Sequence, residues 1–100
     1  MHIISRSTLK KAWEKYPDSK SGLEAWYKLA KSQIWNSFAD LKASVPFTPD
    51  QVGKLVVFDI GGNKYRLIVY VDYECKKVFI RDFLTHTEYS KNNWKKDEWY

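Results

Sequence analysis

The sequence predicts an α+β domain in which helices occupy the first half and a small twisted antiparallel sheet the second. Three observations carry this. Apolar residues recur at three- and four-residue spacing through the first half. From Lys54 onward they fall in β-branched and aromatic runs. Between the two regimes lies a link, Pro46 to Gly53, with two prolines and a glycine, which reads as a loop.

In chain order, Ile3-Ile4 reads as a short strand. Ser7 or Thr8 is placed to cap a first helix, whose stripe is Leu9, Trp13 and Tyr16 and which Pro17 stops. Ser21-Gly22-Leu23-Glu24 has the form of a capping box, in which the Ser oxygen and the Glu carboxylate satisfy free backbone donors. The second helix behind it carries Leu23, Trp26, Tyr27, Ala30 and Ile34 on its apolar face, with Lys28 and Lys31 on the wetter side. A third helix spans Ser37 to Ser44, with Phe38, Leu41 and Val45 apolar. Lys54 to Ile60 then forms a strand, and Gly61-Gly62-Asn63 supplies residues that tolerate the positive φ of a hairpin turn. Lys64 to Tyr73 is the second strand of a meander. A polar turn around Glu74-Cys75-Lys76 leads to the third, Val78 to Phe83. Thr85-His86-Thr87-Glu88 repeats the capping-box pattern and opens a short C-terminal helix. The helices cover the meander.

A chain of 100 residues suits a single domain spanning residues 1–100, and 44% hydrophobic against 29% charged residues is a globular balance. Five Trp and seven Tyr read first as core, because large rings bury area effectively in a small domain. Lys and Arg number 17 against 12 Asp and Glu, a net charge of +5. That excess favours a polyanionic partner, nucleic acid or an acidic protein, over a surface that is merely soluble. One cysteine, Cys75, excludes an intrachain disulfide and a multi-thiolate metal site. Met1 to Arg6 has no long apolar core, and no apolar run nears the ~20 residues of a membrane helix. The expectation is a soluble cytoplasmic protein with no membrane partner and no cofactor or metal.

The residues that can carry chemistry lie in the second half. Strands joined by an even-numbered turn place Arg66 and Arg81 on one face, and a two-residue turn at Gly61-Gly62 or Gly62-Asn63 adds Asp59. Two guanidinium groups on one surface make an anion site. His86 follows at a helix start, and Tyr89 one turn later. This set suits metal-free RNA cleavage, in which a 2′-hydroxyl attacks the adjacent phosphate. His86 serves as base or acid, Arg66 and Arg81 stabilise the developing charge with Lys64 assisting, and Tyr89 orients groups or stacks on a base. Each has a plainer reading. Arg66 can pair with Asp59 and Arg81 with Asp82 or another carboxylate, His86 can be only a helix-start residue, and Tyr89 can be packing. Candidate RNA-binding residues are Lys10, Lys11 and Lys15 along one side of the first helix, Lys76 and Lys77 at a turn, and Lys91, Trp94 and Lys95 near the end. Against this, lysines on a helix commonly form a solvated face, and Trp94, Trp99 and Tyr100 can fold back on the sheet as an apolar tail.

Two stretches carry a family resemblance. Val57-Phe58-Asp59-Ile60-Gly61-Gly62-Asn63-Lys64-Tyr65-Arg66 is similar to the "VF-(N/D)-(V/I)-GGN-x-x-R" stretch of HigB-type toxins. Val78-Phe79-Ile80-Arg81-Asp82-Phe83-Leu84-Thr85-His86-Thr87-Glu88-Tyr89 resembles their "(Y/F)IR-x-x-(L/M)TH-x-EY" segment. The opening MHIIS and the Lys-rich helix ending at Tyr16-Pro17 are similar too. The resemblance implies a RelE-like fold and a type II toxin–antitoxin system with a HigA-type helix-turn-helix antitoxin. It also implies an endoribonuclease that cuts mRNA on the ribosome, whose RNA the basic surface would contact. Arg66, Arg81, His86 and Tyr89 stand in the matching motifs, although catalytic residues vary among RelE-like toxins. Two readings from other classes remain beside it: a non-catalytic RNA- or ribosome-binding module, and a protein whose basic groove only receives an acidic antitoxin segment.

Overall fold

The computed structural model describes all of residues 1–100. The elements are β1 (His2–Ile4), α1 (Arg6–Lys15), α2 (Lys20–Ser32), α3 (Phe38–Ser44), β2 (Asp50–Val52), β3 (Leu55–Ile60), β4 (Tyr65–Asp72), β5 (Lys77–Thr85) and α4 (His86–Ser90). Single 3-10 turns at Pro17–Ser19 and Asn93–Lys96 complete the chain. The helices-then-strands order is as the sequence predicts.

The strands form one sheet in the order β1-β5-β4-β3-β2. The meander β3-β4-β5 is antiparallel, while β1 joins β5 in parallel, so the sheet is mixed. At the other edge, β2 pairs antiparallel with β3. That strand lies inside the link read as a loop. It is three residues long and mostly exposed, so it carries no apolar pattern to announce it.

Helix ends follow local chemistry unevenly. Ser37 Oγ accepts from Asp40 N at 3.2 Å and caps α3. Thr85 and Glu88 make the full capping box of α4, at 3.2 and 3.0 Å. The box at Ser21–Glu24 is not formed. The 3-10 turn runs straight into α2, which places Ser21 inside the helix, and Glu24 instead faces Lys20 at 3.9 Å. Helix α1 starts earlier than Ser7, with Ser5 as its cap at φ 70. Helix α2 ends at Ser32, so Ile34 falls outside its stripe and is 69% exposed, while Trp35 takes the buried position.

Both faces of the sheet are covered, which is why β3 is apolar almost throughout. On one face Leu9, Leu23, Trp26 and Leu41 from the helices meet Phe58, Leu67 and Val69. On the other a smaller cluster of Leu55, Val57, Ile68 and Trp94 is packed by Tyr89 and Trp99. At the Asp59–Arg66 end of this second face lies an open cleft.

Candidate active site

The cleft has a volume of ≈ 650 Å³ and is walled by Lys42 of α3, the Val45–Asp50 segment, Val57 and Asp59 of β3, Arg66 of β4 and Tyr89 of α4. Its floor is set by hairpin register. Lys64 N donates to Gly61 O at 3.4 Å across Gly62-Asn63, with Gly61 and Gly62 at φ 64 and 69. That two-residue turn places Asp59 directly opposite Arg66.

Arg66 is 9% exposed and almost fully engaged. Its Nε faces Asp59 Oδ1 at 3.1 Å, and Nη2 donates to Asn63 Oδ1 at 2.6 Å. Nη1 donates to the carbonyls of Tyr65 and Asn63 at 3.1 and 3.4 Å. Three of the five N–H groups are hydrogen-bonded; Nε–H only faces Asp59, and one N–H on Nη2 is left for a ligand. The Tyr89 ring centroid lies 5.5 Å from the guanidinium carbon. Burial, followed by the nearby charge of Asp50, pushes the Tyr89 phenol above its ordinary pKa, so it is a proton donor at neutral pH.

The two arginines do not converge on one site. Both lie on the second face of the sheet, as parity has it, with Arg81 the extra residue of a β-bulge where pairing runs Ile68 to Asp82 and then Val69 to Ile80. Its Nε and Nη2 each donate to Asp97 at 2.8 Å, and the Trp99 ring covers it at 4.1 Å. Arg81 lines a separate hollow of ≈ 520 Å³ with Asp82 and Asp97 rather than the Arg66 cleft. The plainer reading, pairing with a carboxylate, describes both arginines here.

His86 is exposed at the start of α4 and its backbone N donates to Lys64 O at 2.9 Å, which brings the two residues together. Neither lines the cleft. The Lys64 ammonium lies 3.1 Å from Asp18, which also accepts from the Tyr65 hydroxyl at 2.6 Å. That second bond raises the Tyr65 phenol to about 12 and, with Lys64, lowers the Asp18 carboxyl.

The expected RNA-binding residues scatter. Lys10 lines a hollow on the outer side of α1 with Arg6, Ser7 and Trp13. Lys15 lies near α4: the Glu88 carboxyl is lowered first by the Thr85 backbone N–H, with the Lys15 and Lys91 charges adding. Lys11, Lys77 and Lys91 are exposed. Lys76 is half-buried and donates to Asn36 Oδ1 at 2.7 Å and to Tyr73 O, so it ties a turn together. Trp94 corrects the expectation of a stacking platform. It is 6% exposed, stacks on Tyr89 at 5.1 Å and donates to Tyr89 O at 3.1 Å, as the apolar-tail reading has it. Lys95 lies 5.7 Å from the Trp94 ring centroid.

Asn63, Lys42 and Asp50 escaped the sequence reading. Asn63 was legible only as a turn residue, yet its side chain and carbonyl both hold Arg66. Lys42 and Asp50 reach the cleft from elements distant in sequence, and no local spacing marks them.

Chemically, the cleft offers a fixed cation, a protonated phenol and an exposed lysine to an anion, while Asp59 and Asp50 oppose excess negative charge. Such a site orients a phosphate and favours added charge on it only where the ligand meets the Arg66 and Lys42 side.

Residues 19–92 match the family described as HigB toxin, the RelE-like toxic component of a toxin–antitoxin system. The chain is 36% identical over 91 residues to the mRNA interferase toxin HigB of Escherichia coli (strain K12), spanning 89% of this chain and 88% of that protein. It is equally similar to the mRNA interferase HigB of Shigella flexneri, and 29% identical over 93 residues to that of Escherichia coli O6:H1, covering 91% of this chain and 90% of the relative. The match runs through the Asp59–Arg66 hairpin and through α4 with Tyr89, the parts that build the cleft, and the chain belongs to the HigB family of RelE-like toxins.

Proposed function

We propose that residues 1–100 act as one RelE-like toxin domain that cuts mRNA in the cytoplasm, held on the ribosome, and that a HigA-type helix-turn-helix antitoxin neutralises it. The observation that carries this reading is the 36% identity to an mRNA interferase over nearly nine-tenths of the chain, with motif residues Arg66 and Tyr89 lining one cleft. In this reading the 2′-hydroxyl attacks the adjacent phosphate, and the free Nη2–H of Arg66 stabilises the charge that builds on phosphoryl oxygen. The Tyr89 phenol donates a hydrogen bond. His86 and Lys64, joined to each other through the backbone, supply proton transfer and a further cation when RNA extends beyond the cleft. Arg81 joins only by exchanging Asp97 for phosphate. Lys11, Lys15, Lys77, Lys91 and Lys95 contact ribosomal RNA as point charges.

A second reading, a non-catalytic RNA-binding module, is favoured by one observation: the buried arginine already has Asp59 and Asn63 as partners. Primer extension on a defined message in a purified translation system separates the two. New 3′ ends in the decoding site, lost in Arg66→Ala and His86→Ala, support the nuclease. An uncut message on active ribosomes supports the module.

A further inference from the structure

Helix α4 is too slight to hold a side chain in place by itself. It has five residues, none of them buried, and a helix of that length is not stable alone in water. Its start is fixed by the Thr85–Glu88 box and by the bond from His86 N to Lys64 O. Tyr89 sits near its other end, where the last turn of a helix frays most readily.

The chain beyond the helix supplies the missing hold. Asn92 takes a φ of 61, a left-handed conformation that asparagine tolerates, and Trp94 returns over α4. Trp94 grips Tyr89 twice. Its indole stacks on the Tyr89 ring, with centroids 5.1 Å apart and planes 13° from parallel. Its Nε1–H donates to the Tyr89 carbonyl at 3.1 Å. The stack restricts the tilt of the phenol, and the hydrogen bond ties down the backbone from which it projects.

Trp94 is itself firmly seated. It is buried with Leu55, Val57 and Ile68, and the Tyr100 ring meets it edge-on at 5.8 Å. Tyr100 in turn lies over Gly53, where a Cβ would come within 2.9 Å of its ring. Val57 belongs both to this cluster and to the wall of the cleft, so one packing unit joins tail, sheet and site.

Tyr89 has one group free to act. The indole is stacked on its ring and the Arg66 guanidinium lies 5.5 Å from the same centroid, which leaves little ring for a base. Its hydroxyl has no hydrogen-bond partner in the protein, although Tyr89 lines the cleft. A donor that works through a single O–H depends on its aim, since a displacement of about 1 Å can cost 100-fold in rate.

We propose that Trp94 is a positioning residue for message cleavage, setting through its stack and its hydrogen bond where the Tyr89 hydroxyl lies in the cleft. The proposal rests on the nuclease reading for the reaction, but the hold on Tyr89 is measurable without it.

The test uses the whole protein on ribosomes programmed with a defined message, under single-turnover conditions. Trp94→Leu should lower the maximal cleavage rate about 10- to 100-fold, with the half-saturating protein concentration changed less than about twofold. Trp94→Phe keeps a stacking ring and loses only the N–H, so it should recover most of the rate and fall about threefold short. In a Tyr89→Phe background, which lacks the hydroxyl, either change should cost less than about twofold more. A space-filling Trp94 would instead give losses that multiply. NMR of protein carrying 13C-labelled tyrosine supplies the second readout. The Tyr89 ring signal should be displaced by the indole ring current in the parent, and should move toward its free value in Trp94→Leu. Should Trp94→Leu fail to fold, the Trp94→Phe loss and its disappearance in the Tyr89→Phe background carry the same test. Parental rates in both Trp94 variants, multiplying losses in the Tyr89→Phe background, or an unmoved Tyr89 signal would each overturn the proposal. A parent protein that leaves messages uncut on active ribosomes would sink the nuclease reading and the role in cleavage with it, while a moved Tyr89 signal would still establish the hold.

Discussion

Removing the Asp59 carboxylate tests the central geometry of the cleft. The Arg66 side chain is 10% exposed and that of Asp59 29%, with Nε and Oδ1 3.1 Å apart. Breaking a fully buried ion pair costs about 3–5 kcal/mol, because the surviving charge is left without a partner. Two features lower that figure here: water reaches Asp59, and Arg66 keeps the carbonyls of Asn63 and Tyr65 and the Asn63 amide oxygen. The loss is then that of a partly exposed ion pair, between the surface and the buried case, about 2 kcal/mol. Asp59→Ala should therefore lower Tm by about 8–16 °C in a domain of this size. In urea the midpoint should fall with an unchanged m-value. Asp59→Asn keeps a polar oxygen beside Nε without the charge and should lose about half as much. It should also bind oligouridylate more tightly than the parent, since it removes a negative charge from an anion cleft. An Asp59→Ala loss below about 0.5 kcal/mol, the range of ordinary surface changes, would refute the account of how Arg66 is held. So would weaker RNA binding by Asp59→Asn.

Three further outcomes follow from the second face of the sheet. The bond from Arg81 holds the Asp97 carboxyl below its ordinary 3.8, so its stabilisation is complete above that value and is lost as pH falls through the lowered one. The Trp99 indole resonance, followed by NMR during an acid titration, should shift toward its disordered value only below the ordinary carboxylate range, and in Asp97→Asn at all pH values. Trp94→Ala, which empties a nearly dry site against Tyr89, should cost about 3–5 kcal/mol in chemical denaturation, while Trp94→Phe keeps most of the packing and costs less. Burial raises the Asp82 carboxyl, with the charges of Glu88 and Asp97 adding, so its ionised form opposes folding. Asp82→Asn should raise Tm at pH 7 and lose that advantage as pH falls below the carboxylate range.

Much of the architecture was legible because it is local. The three helices, the meander and the Thr85–Glu88 cap rest on periodicity, β-branched runs and capping chemistry that act within a few residues. The face of Asp59 was legible too, since either two-residue turn puts it on the side of Arg66; the structure takes the Gly62-Asn63 turn, which sets the two directly opposite. The family was readable in the two motifs that flank the cleft. Tertiary structure decided the rest. Whether Ser21 caps a helix depends on how the chain enters it, and the Pro17–Ser19 turn overrides the box. The parallel docking of β1 on β5 joins residues more than seventy positions apart, with no local pattern to mark it. Arg81 shares a face with Arg66, as strand parity has it, but the path of the C-terminal tail brings Asp97 and Trp99 onto it and gives it a separate hollow. Trp94 reads the same in sequence whether its ring faces solvent or lies on Tyr89, and only the path of the tail over the sheet puts it inside. Side-chain chemistry names the groups available, but long-range packing decides which of them remain free to meet a ligand.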